Sequence, residues 1–89
     1  MTKKQFKNNL YIVKWIDSCN SPNFWEPISK MKDPKSMVCA SVGWIVKETS
    51  ENIIIVPHIS DINNKNSEGD SCGGMTIPKV AILERIKLK

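Results

Sequence analysis

From Met37 to Lys47 the side chains alternate one for one: Val38, Ala40, Val42, Trp44 and Val46 fall on one side, Cys39, Ser41, Gly43 and Lys47 on the other. A period of two sends successive side chains to opposite faces of a strand and cannot form the stripe of an amphipathic helix. This segment predicts a β-strand, with Gly43 as a point where the ribbon can bend. Leu10 to Ser18, rich in β-branched and aromatic residues, predicts a strand before it. Between them Pro22, Pro27 and Pro34 remove backbone donors and fix φ, so residues 19–36 read as a long loop with a short helical turn near Ile28 to Met31.

Downstream, the polar Glu48-Thr49-Ser50-Glu51 joins the alternating strand to Asn52–Val56, which predicts an antiparallel hairpin. Ile59 to Gly74 reads as a second long polar loop. Met75 to Ile77 is a short strand, Pro78 to Ala81 one tight 3-10 turn, and Ile82 to Leu88 a closing strand. Residues 1–9 are polar and basic apart from Phe6 and read as a flexible arm ahead of a single domain, 10–89. The resulting class is all-β. The order of strands, loops and turn predicts a small five-stranded SH3-like barrel, with the long loop after strand one and the 3-10 turn before the last strand.

With 89 residues there is room for one core and a thin stability margin. Apolar residues at 40% and charged residues at 25% are ordinary for a folded domain. No apolar run is long enough to span a bilayer, and the start lacks the apolar stretch of a signal peptide, so the expectation is a protein without membrane attachment. The net charge of +4 favours anionic partners, yet of the 13 basic residues only Arg85 is an arginine. Lysine is a mobile point charge and lacks the fork that reads guanine edges, which weakens the case for sequence-specific nucleic-acid binding.

The first and third strands are apolar on both faces. Tyr11, Val13 and Trp15 alternate with Leu10, Ile12 and Ile16, and Ile53 and Ile55 alternate with Ile54 and Val56. One small barrel has one inside, and exposed apolar surface promotes association. Two solutions follow: a homo-oligomer, or a long loop that folds back over the second face.

No catalytic set stands out. Cys19, Cys39 and Cys72 are an odd number without close pairing, so reduced thiols are expected. Together with His58 they lack the paired spacing of a zinc site, and no metal or other cofactor is expected. Cys72, His58 and Asp61 carry no signature of a nucleophile family. Ser71-Cys72-Gly73-Gly74 resembles an anion-holding nest but has neither a phosphate-loop lysine nor a following helix. Asp17 and Glu26 have no neighbouring carboxylate for acid and base work. The expectation is a non-enzyme.

The aromatics offer more. Phe24 and Trp25 lie in the proline-bracketed stretch Pro22-Asn23-Phe24-Trp25-Glu26-Pro27, with Lys30, Lys32 and Lys35 nearby. A tryptophan there serves either to stack a flat ring, worth roughly 1–3 kcal/mol per base, or to anchor the loop in the barrel end. Trp15 and Trp44 sit in strands and read as core or interface. The candidate ligand contacts are Phe24, Trp25 and Trp44, with His58, Lys35 and Arg85.

Trp15-Ile16-Asp17-Ser18, Trp25, Ser41-Val42-Gly43-Trp44-Ile45-Val46 and Thr76-Ile77-Pro78-Lys79-Val80-Ala81-Ile82 resemble segments of small β-barrel proteins encoded by bacteriophages, over about Val13 to Leu88. By type, such proteins are similar to phage anti-defence proteins that sequester nucleotide immune signals. The resemblance implies a viral protein in the cytoplasm of the infected bacterial host. Its ligand would be of the cyclic ADP-ribose or cyclic dinucleotide type, bound without catalysis. The alternative is a small-barrel module that binds a host defence protein, such as a nuclease, or less readily a nucleic acid.

Overall fold

The computed structural model describes residues 9–88, so the expected arm lies, apart from Asn9, outside the described residues. Seven strands follow one another: β1 (Leu10–Asp17), β2 (Met37–Glu48), β3 (Asn52–Val56), β4 (His58–Ile59), β5 (Ser71–Cys72), β6 (Met75–Pro78) and β7 (Ile82–Lys87). Single 3-10 turns occupy Ile28–Lys30 and Lys79–Ala81. Five strands form one antiparallel sheet in the order β6-β3-β2-β1-β7, and β4 pairs with β5 in a separate ribbon. The segment read as an unbroken loop, 59–74, therefore carries most of a small hairpin. Gly69 and Gly73 let its backbone reverse at φ of 80° and 77°, where other residues are strained.

The sheet is curled but not closed into a barrel. β6 and β7 are its two edges and are not hydrogen-bonded to each other. They are nonetheless joined by one turn, and the four steps from Pro78 to Ile82 reach at most about 14 Å. Four flat strand spacings would need roughly 19 Å, so the sheet must bend to let the turn cross. Irregularities supply the bend, one on β1 and β7 between Lys14 and Trp15 and one on β2 between Ile45 and Lys47. Gly43 lies between them, where a Cβ would collide with the Val56 carbonyl oxygen. Side chains tie the end of β2 to β7 and to the turn that joins the two edges. Glu48, at the end of β2, accepts from both arms of the Arg85 guanidinium at 3.2 and 3.0 Å and from Lys79 Nζ at 2.7 Å.

The core sits in the concave face. Val13, Ile45, Ile53, Ile55 and Ile77 are buried there, with Tyr11, Trp15 and Ile82 packed against them. On β2 this face carries Cys39, Ser41, Gly43 and Ile45; its more regularly apolar side, with Val38, Ala40 and Val42, points outward and is exposed. The reason is space. The inside of a bent ribbon has little room, and small residues there admit the Trp15 indole, whose N–H donates to Ser41 Oγ at 3.0 Å.

Candidate functional site

The two loops behave differently. The chain between Asp17 and Met37 leaves the sheet at the far end of the β1–β2 hairpin, and every residue of 18–36 except Glu26 is exposed. Prolines explain why it keeps a shape without a core: Pro27 precedes the 3-10 turn, whose Lys30 N–H donates to the Pro27 carbonyl at 2.9 Å. This loop does not fold back over the sheet. The second excursion does, since Gly74 lies against Val56 and Ile54, leaving Val56 buried although it is on the outer side of β3.

Of the candidate contacts, only Phe24 and Trp25 come together. With Pro22 and Asn23 they line an open hollow of about 320 Å³, and the Trp25 side chain stands fully in solvent at 103% exposure. The anchored alternative for Trp25 is thereby corrected: the indole touches no barrel end. Lys35 is exposed on the same loop but does not line that hollow.

The other three lie elsewhere. Trp44 pairs with Leu10, whereas the loop begins where Met37 pairs with Asp17, seven residues and about 23 Å along the strand. Trp44 is half-buried on the outer face and cannot share a wall with Trp25. Arg85 stands over the Tyr11 ring, 5.7 Å from its centre, with its fork engaged by Glu48. The Arg85 and Lys79 hydrogen bonds hold the Glu48 carboxyl down at about 2, and the Glu48 bond raises the guanidinium further. Arg85 is thus a structural cation, already paired, rather than one waiting for phosphate. His58 is exposed in the ribbon, opposite Cys72. That register brings a histidine and a thiol side by side, yet no hydrogen bond links the two side chains.

Another hollow lies beside that ribbon. It measures about 290 Å³ and is lined by Glu68 and Asp70 with Asn9, Val46, Ile59, Gly69 and Ser71. A third, of about 220 Å³, lies by Tyr11 and Lys47 and includes the paired Glu48 and Arg85. Among the described residues no three His, Cys, Asp or Glu side chains gather to hold a metal, and the three cysteines are free thiols. No helix among the described residues is long and apolar enough to cross a membrane.

The sequence reading missed the Glu48–Arg85–Lys79 tie, whose members are far apart in the chain and leave no sequence signal. The second apolar face it did expect, and on β7, β1 and β2 that face is exposed. The chain matches no family model and no curated protein, and its structure matches no solved structure.

Proposed function

We propose that this chain is a non-enzymatic bacteriophage protein that works as an oligomer and sequesters a small nucleotide immune signal in the cytoplasm of the infected host. The observation that carries the reading is the Phe24–Trp25 tip. Burying such a side chain stabilises a fold by about 1.5–3 kcal/mol, and here a tryptophan in a small protein is kept wholly in water. An indole so placed contributes little to folding and is free to stack a base, with Lys30, Lys32 and Lys35 on the same loop to meet phosphate. One chain offers a single open wall, so a second copy completes the site. The protein would act by mass action, one ligand per site, and must be at least as abundant as its signal.

The test is calorimetry of the wild type against cyclic ADP-ribose isomers and cyclic dinucleotides. Saturable heat with one of them, weakened roughly 5- to 150-fold in Trp25→Ala, is expected from a stacking energy of about 1–3 kcal/mol. Heat with none of them rules the reading out.

A second reading is a module that binds a host defence protein or single-stranded nucleic acid. It is favoured by the shape of the tip, which projects into solvent rather than lining an enclosed hollow, as contact with a large partner surface requires. Co-purification of a host protein supports the first branch, and a salt-dependent mobility shift of labelled single strands the second.

The finer fold reading, an SH3-like small barrel, is supported by the sheet order and by the single turn that carries the chain from β6 to β7.

A further inference from the structure

We propose that the outer face of β7, β1 and β2 is the surface on which a second copy of this chain packs, the two related by a two-fold axis. The inference rests on the oligomeric part of the function proposed above and names its interface. Cross-strand register puts Ile86, Ile12 and Val42 in one row and Ile16 and Val38 in another. Val38 and Val42 are 63% and 58% exposed, Ile86 and Ile16 44% and 38%. The first loop does not reach them and the second covers β3 instead.

Between the rows lie two opposite charges, Lys14 and Glu84, 3.6 Å apart and both about half exposed. That arrangement identifies the partner. A face carrying one cation beside one anion, ringed by apolar side chains, is complementary to itself: a two-fold rotation sets each Lys14 over the other copy's Glu84. A basic or acidic partner would instead meet a like charge.

The strands' edges point to the same mode. β1 and β2 are paired on both sides and β7 on one, so contact through β1 and β2 is face to face, as in stacked sheets. Three strands about 4.8 Å apart and about seven residues long present a rectangle of roughly 14 by 24 Å. Two such rectangles come to roughly 670 Å² when flat, and side-chain relief raises the buried area toward the ~1,000 Å² that a specific interface needs.

The charges make the test. Lys14→Glu leaves two acids on the face and Glu84→Lys two bases. Each variant alone should run at the mass of one chain in native mass spectrometry and sedimentation, and an equimolar mixture should regain a mixed dimer. Val42→Glu should also run as one chain, with its folded state checked by tryptophan fluorescence. Wild type at single-chain mass at micromolar concentration, or charge variants that self-associate as well as wild type, overturns the interface. Failure to fold in Val42→Glu leaves the mixing result decisive. Calorimetry of Val42→Glu with the nucleotide panel separates the two proposals: loss of self-association with retained binding removes only the need for a completed site.

Discussion

Glu48 links the end of β2 to β7 and to the turn before it through Arg85 and Lys79. Its carboxyl, held near 2 against an ordinary 4.5, binds its proton more weakly folded than unfolded. Its contribution is therefore complete above about pH 4.5 and is lost as pH falls through about 2. More than a third of the side chain is exposed, so screening limits the contribution to about 1 kcal/mol or less. Glu48→Gln should lower the melting temperature at neutral pH by a few degrees and shallow the acid limb between those two values, as followed by circular dichroism. Gly43 acts at the same scale through space. Gly43→Ala forces a methyl against the Val56 carbonyl, where the bent ribbon cannot give way, and should lower stability by about 1–3 kcal/mol in urea unfolding.

Among the elements, strands were far more legible than faces. The alternation of β2, the apolar density of β1 and β3, the prolines of the first loop and the turn before β7 all mark local backbone, and local backbone is what such patterns encode. Which side of β2 faces the core was not legible, because that depends on curvature: in the bend at Gly43 the small residues go inside and the valines outside. The β4–β5 ribbon was hidden for a related reason, being two residues per strand in a polar segment. The candidate site was legible only in part. Proline bracketing singled out Phe24 and Trp25, but nothing in the order of residues shows that Trp44, His58 and Arg85 are dispersed across the sheet. The first loop should be separable from folding. Trp25→Ala should leave unfolding stability within about 0.5 kcal/mol of wild type, and an equal loss to that of a core substitution would mean the indole is packed somewhere.

At the scale of the whole molecule, one chain buries a modest core and leaves apolar surface open among the described residues, including the Phe24–Trp25 tip and the outer face of β7, β1 and β2. In the proposed function the face pairs copies, and the tip, with lysines on its own loop, takes the ligand. The most direct measurement is tryptophan emission during titration with the cyclic nucleotide panel, in wild type and in Trp25→Phe side by side. Stacking on Trp25 predicts saturable quenching of the wild type by one ligand and the loss of most of that signal in the variant. Emission unchanged by every ligand, or quenched equally in both proteins, would contradict it.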